Sequence, residues 1–196
     1  MKKNKPKYHQ IIDAAVIAIA ENGYHQAQVS KIARQAGVAD GTIYLYFKNK
    51  EDILISLFQE KMGTFVEKTS ENIQTKSKAA DQLRLLVENH FTLLTEDPHL
   101  AVVTQLELRQ SNKELRLKIN EVLKSYLLLI DQILQHGINS GEFRDSLNIR
   151  LARQMIFGTI DEMITTWVMN DQKYDLAASA QEAAEMLLNG FSMKKE

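Results

Sequence analysis

An all-α fold follows from three features of this 196-residue sequence. Only two prolines (Pro6 and Pro98) and eight glycines interrupt it. Sustained alternation of apolar and polar residues is absent. Apolar residues recur instead at spacings of three and four, the repeat of helices that bury one stripe. About nine helices result, divided between an N-terminal three-helix domain over residues 1–50 and a helical domain over residues 51–196.

The first helix spans about Lys7 to Glu21. Ile12, Ala15, Val16 and Ile19 form its stripe, and Asn22-Gly23 offers a left-handed terminus. Tyr24 to Gln28 reads as a loop. Val29 to Lys50, VSKIARQAGVADGTIYLYFKNK, then gives two short helices around a glycine turn. Ile32, Ala33 and Ala36 form the apolar face of the first, and Gly37 ends it. Asp40 is placed to cap the second, Gly41 to Phe47, through its side-chain oxygen. Ile43 and Phe47, four apart, turn inward. Two helices joined by a turn of about 3–4 residues containing glycine are the sequence form of a helix-turn-helix, whose second helix enters the DNA major groove.

A long amphipathic helix begins near Lys50-Glu51-Asp52, with its acids in the first turn where the helix dipole favours them. Ile53, Leu54, Leu57, Phe58, Met62, Phe65 and Val66 line one face. The polar stretch Glu71 to Lys78 breaks it. A fifth helix runs from about Ala79 to Thr95, with Leu83, Leu86, Val87, His90, Phe91 and Leu94 inward. Asp97-Pro98 starts a sixth, His99 to Gln110, with proline at the first helical position. A seventh covers about Lys113 to Asn139 and stops at Ser140-Gly141. The eighth, about Asn148 to Asn170, and the ninth, about Leu176 to Phe191, are apolar on more than one face. That pattern is compatible with a buried internal helix or with burial against a second copy of the chain.

Composition narrows the function. With 44% hydrophobic and 25% charged residues the chain can bury a core unaided. It has no cysteine, which excludes disulfides and thiolate metal sites. The basic start is not followed by a secretory apolar run, and Ile11 to Ala20 is too short to span a membrane, so a cytoplasmic protein is expected. Residues 1–50 carry a net +5 and the remainder −6. A basic head fits phosphate contact; a lysine-rich solvated tail would give the same sign.

The opening block, IIDAAVIAIAENGY followed by VSKIARQAGVADGTIYLYFKNKEDIL, resembles the DNA-binding head of the TetR family of bacterial transcriptional repressors. The pattern AGVxxGTxYxYFxxKE is far longer than a generic helix-turn-helix signature, and the nine-helix layout agrees in length and order. In the body, VTQLELRQSN (103–112) and RLARQMIFGTIDEMITTWVMNDQKYDL (150–176) are similar to the Bacillus-type fatty acid degradation branch of that family. The resemblance implies a dimeric repressor, paired through helices eight and nine, that binds double-stranded operator DNA and is released by long-chain acyl-CoA as effector.

It also implies site residues. Gln28 and Ser30 match phosphate-bonding positions; Thr42 can meet a phosphate, a base or a thymine methyl. Tyr44 and Tyr46 offer hydroxyls to phosphates, Lys50 clamps a phosphate, and Gly41 permits close approach to the backbone. Asp40 and Leu45 depart from the common pattern, which reduces the expected number of direct contacts. An acyl-CoA needs an apolar tunnel with cations near its mouth. Phe58, Met62, Phe65, Phe91, Leu94 and Leu106 are candidates for its wall, as are Met155, Phe157 and Met163, although such stripes ordinarily form core. Gln105 and Arg109, four apart on helix six, and Arg150 and Arg153, opening helix eight, are candidates for the CoA end; partnership with Glu107, Asp161 or Glu162 is the alternative for each arginine.

An enzyme has little support. The five histidines are scattered, and adjacent Asp161 and Glu162 diverge by about 100° on a helix. No metal site is expected. Within the family, a repressor that senses another hydrophobic ligand remains open.

Overall fold

The computed structural model describes residues 6–191. They form nine helices: α1 (Pro6–Gln26), α2 (Val29–Gln35), α3 (Asp40–Tyr44), α4 (Lys50–Gln74), α5 (Ala79–Glu96), α6 (Pro98–Glu107), α7 (Lys113–Asn139), α8 (Ile149–Met169) and α9 (Ala180–Phe191). A 3₁₀ turn over Ala177–Ser179 precedes α9, where a continuous helix from Leu176 is expected from sequence. No strand occurs among the described residues. Lys2, Lys3 and Lys5 of the basic start lie outside them. The chain divides into two compact units, Met1–Gly63 with Pro98–Val122 and Thr64–Asp97 with Leu123–Glu196.

In the first unit α1 packs on α2 and α6, and α2 packs on α3. Ile11, Ile12, Ala15, Ile19, Ile32, Ala33, Ile43 and Phe47 are buried, as are Ile53, Leu54 and Leu57 of α4. The Tyr8 ring stacks on Phe47 at 5.1 Å, which holds the residues after α3 against the start of α1. Gly23 breaks α1 with φ 71° and ψ 153°. The chain does not leave as a loop there, because burial of Tyr24 and Ala27 draws it back into a further helical turn. The Ala27 N–H donates to the Gly23 carbonyl at 3.0 Å.

The turn after α2 closes in a Schellman arrangement. Gly37 sits at φ 61°, its N–H donates to the Arg34 carbonyl at 3.1 Å, and the Val38 N–H reaches the Ala33 carbonyl at 3.0 Å. Asp40 does not cap α3. Ala39 holds the N-cap position without a side-chain bond, and Asp40 is the first helical residue, where its charge acts on the dipole instead. α3 is also shorter than expected: the Leu45 and Tyr46 N–H groups bond three residues back, which tightens the helix end. Phe47 N–H still reaches the Ile43 carbonyl at 3.0 Å, so Ile43 and Phe47 share the inward side as expected. Asn49 accepts from the Asp52 N–H and Asp52 accepts from the Lys48 N–H, both at 2.8 Å, which secures the start of α4.

α6 begins at Pro98 and stops at Glu107, so Gln105 and Arg109 do not share a helical face. The chain turns because the Gln110 amide folds back onto the Glu107 carboxylate. The Arg116 guanidinium also donates to the carbonyls of Gln110 at 2.8 Å and Ser111 at 3.3 Å.

In the second unit α5 packs on α8 and α9, and α8 on α9. α4 extends to Gln74, past the expected break at Glu71. The following turn is tied by Gln82, whose amide donates to the Lys76 carbonyl at 2.9 Å and whose oxygen accepts from His136 Nδ1 at 3.0 Å. Glu142 accepts from the first N–H groups of α5, Ala79 at 2.9 Å and Ala80 at 3.2 Å. Asn148 caps α8 by accepting from the Leu151 N–H at 3.1 Å.

Candidate functional site

The head presents α3 and its flanks. Tyr44 is 57% exposed and Leu45 65%, an arrangement that core packing does not require. Gly41 is exposed, and a Cβ built there meets nothing within 4 Å, so nothing in the fold demands glycine. Thr42 and Tyr46 are half-buried. Gln28 is exposed at the N-cap of α2 with its side chain making no cap bond, and Ser30 is half-buried two residues on. Lys50 is engaged internally. Its ammonium donates to the Tyr24 and His25 carbonyls at 2.9 and 3.0 Å and lies 4.6 Å from the centre of the Tyr24 ring. Burial, then the charges of Glu51 and Glu107, push the Tyr24 phenol up to about 12.

In the second unit an aromatic cluster draws on four helices. His90 of α5 and Tyr126 of α7 hydrogen-bond at 2.8 Å with rings edge-to-face, 5.1 Å apart. Phe65 of α4 lies 5.0 Å from the His90 ring and 5.6 Å from Tyr126, and Phe157 of α8 closes on Tyr126 at 6.3 Å. Burial holds His90 down to about 4, so it is neutral at pH 7. Burial, then the charge of Asp161, raises the Tyr126 phenol. Phe65 and Phe157 are thus brought together around a polar pair; Phe91 and Leu94 are buried on α5.

The arginines are placed differently from one another. Arg153 pairs with Asp131 at 2.6 Å, a partner outside the three acids weighed from sequence. The second oxygen of Asp131 is buried without a hydrogen-bond partner. Arg150 is exposed in the first turn of α8. In the first unit Phe58 is buried, Met62 half-buried, Gln105 buried, and Leu106 and Arg109 exposed.

Leu151 and Met155 of α8 are exposed at 55% and 49%, and Met186 of α9 at 67%. Met155, Thr159, Met163, Glu182 and Met186 border an open groove of about 460 Å³.

Sequence reasoning missed several of these groups. Asn49 was readable, since an asparagine three residues before an acid and ahead of an apolar run is a helix-start signature. The His90–Tyr126 and Arg153–Asp131 pairs and the bond between the Tyr24 N–H and Glu107 join residues remote in sequence, and no local pattern marks them. Among the described residues no group of His, Asp and Glu is disposed to hold a metal, and no helix is long and apolar enough to cross a membrane.

A Schellman turn between two short helices, the second exposing Tyr44 and Leu45, defines a helix-turn-helix regulator. Residues 11–57 match the family described as bacterial regulatory proteins, tetR family, and residues 58–190 match the YsiA-like protein, C-terminal region. The chain belongs to the TetR family. It is 66% identical over 194 residues to the fatty acid metabolism regulator protein of Bacillus subtilis (strain 168), covering 99% of this chain and 100% of that one. Its fold is similar to a crystal structure of the transcriptional regulator FadR from Bacillus subtilis in complex with stearoyl-CoA (TM-score 0.92, 67% identity, 94% of this chain and 99% of that chain). The fatty acid degradation regulator FadR from Bacillus halodurans gives the same TM-score, 0.92, at 62% identity over 94% of this chain and 99% of its own.

Proposed function

We propose that this chain is a cytoplasmic, homodimeric repressor of fatty acid degradation genes that leaves its operator when long-chain acyl-CoA binds, and that it is not an enzyme. The observation that carries this is 66% identity over 194 residues, 99% of the chain, to a fatty acid metabolism regulator. A relative at 67% identity has been crystallised with stearoyl-CoA.

Residues 1–50 are the DNA-binding part and residues 51–196 the ligand-binding and dimerisation part. Gln28, Ser30, Gly41, Thr42, Tyr44 and Tyr46 contact the operator. Lys50 spends two of its three donors on carbonyls and retains one for a phosphate. The dimer forms through α8 and α9; the exposure of Leu151, Met155 and Met186 supports this, because a lone chain would leave that apolar surface in water. Phe65, Phe91, Leu94 and Phe157 are the second unit's apolar candidates for the acyl chain, with Arg150 and Arg153 for the CoA phosphates; Met155 and Met163, which border the α8–α9 groove, are carried on resemblance. Phe58, Met62, Gln105, Leu106 and Arg109 are carried on resemblance.

A two-fold operator requires its readers about 34–36 Å apart, or at multiples of that distance. Acyl-CoA acts by favouring a state of the dimer in which that spacing is lost, and it can shift the equilibrium only by its differential affinity for the two states. The test is titration of long-chain acyl-CoA into an operator complex at fixed salt, with free fatty acid and free CoA as controls. Release by acyl-CoA alone is expected. Indifference to acyl-CoA, or mass spectrometry of extracted ligand showing an unrelated compound, would sink the effector assignment.

A further inference from the structure

The backbone of one residue in the first unit is held at its N–H and at its carbonyl by charged side chains. The Tyr24 N–H donates to Glu107 Oε1 at 2.8 Å, from the last residue of α6. The Tyr24 carbonyl accepts from Lys50 Nζ at 2.9 Å, from the first residue of α4. Both are charge-assisted bonds, which fix direction as well as distance. Tyr24 follows Gly23, where α1 loses helical geometry, and α2 begins at Val29. The orientation of this short link therefore aims the helix-turn-helix.

Glu107 is itself set by its surroundings. Its other oxygen accepts the Gln110 amide, and Arg116 anchors the Gln110 and Ser111 carbonyls. It stands between Leu106 and Arg109, within the stretch carried above as ligand-contacting. We infer that Glu107 is a positioning residue, which couples a shift of residues 105–109 to the aim of the DNA-reading helices through the Tyr24 backbone. This inference rests on the acyl-CoA reading above. When the stretch moves, the carboxylate leaves the Tyr24 N–H, and of the two charged side chains that hold this residue's backbone only Lys50 remains.

The experiment uses the full-length protein and Glu107→Ala and Glu107→Gln variants. Operator Kd is measured with and without saturating long-chain acyl-CoA at fixed salt, and acyl-CoA Kd is measured without DNA. Acyl-CoA affinity is expected to stay within about twofold of the parent if the carboxylate acts on the Tyr24 N–H, its bonded partner, rather than on the ligand. The ratio of the two operator Kd values is expected to fall about tenfold in Glu107→Ala, with Glu107→Gln intermediate since its amide oxygen remains a neutral acceptor. In the parent protein, hydrogen exchange at the Tyr24 amide is expected to accelerate on adding acyl-CoA, a measurement that needs no variant. Three results overturn the inference: a ratio unmoved in both variants, a ratio and acyl-CoA affinity that fall together, or Tyr24 exchange indifferent to acyl-CoA while the parent is released. A parent ratio of one overturns the effector reading itself, and this inference with it.

Discussion

The buried His90–Tyr126 pair makes the stability of the body depend on pH in a calculable way. Burial holds His90 down to about 4 in the folded chain, against about 6.5 when unfolded. The unfolded state therefore binds the extra proton between these values, so stability falls as pH drops from about 6.5 towards 4. Two protonation equilibria with these constants cost roughly 2 kcal/mol between pH 7 and pH 5, and roughly 3 kcal/mol in full. The perturbation to compare is His90→Leu with Tyr126→Phe, which removes both partners of the 2.8 Å bond and strands neither. Urea unfolding at fixed protein concentration, at pH 7 and pH 5, gives the two stabilities. The parent is expected to lose about 2 kcal/mol more than the double variant on acidification. Loss of stability in parallel, within about 0.5 kcal/mol, would show that His90 titrates normally and refute the reasoning.

Four further outcomes are expected. Tyr46→Ala lowers operator affinity while sedimentation still reports a dimer; unchanged affinity in a salt-controlled gel shift removes Tyr46 from the interface. Lys50→Met lowers operator affinity and reduces the slope of log Kd against log salt by about 1 if its remaining donor meets a phosphate; an unchanged slope means Lys50 acts only through Tyr24 and His25. Burial tends to raise the Glu142 carboxyl, but the bonds from Ala79, Ala80 and Ser140 and the charge of His136 bring it below the ordinary range. Glu142→Ala therefore costs about 1–2 kcal/mol at pH 7 and less as pH falls through the carboxylate range, where the parent loses the same charge; a penalty as large at pH 3.5 contradicts this. Gly137→Ala drives a methyl into the Phe143 ring and destabilises by about 1–3 kcal/mol in thermal or urea unfolding, whereas a neutral result would mean the ring moves freely.

What the sequence made legible was whatever depends on local periodicity and turn chemistry. The bounds of α7 match the reading, and Gly37, Pro98 and Asn148 do the work their positions indicate. Tyr24 defeats the loop reading because its ring is buried in the tertiary fold, which a local pattern does not register. Asp40 defeats the cap reading by one residue: the backbone chose Ala39, and the acid's value lies in the dipole. In the candidate site, the exposed face of α3 was readable. The partners that decide how each charge is used were not, since Arg153 meets Asp131 and Lys50 meets Tyr24 and His25 across 22 to 26 residues.

Those partners change what the +5 of the head means. Lys31 is bonded to Asn22 at 2.7 Å and Lys50 to two carbonyls, so both serve the fold before any phosphate. Among the described residues of the head, Lys7, Arg34 and Lys48 are the exposed cations that remain. If Thr42, Tyr44 and Tyr46 meet the duplex as proposed, these neutral donors fix register on it but release no counterion. The part of the affinity built on these donors would rest on geometric fit rather than on charge. A small change in the separation of two heads then costs a large share of it, which is the sensitivity an effector-released repressor needs. The same logic would make the Tyr24 backbone a sensible place for control, since a shift there would move the neutral donors of the head together while leaving its charge unchanged.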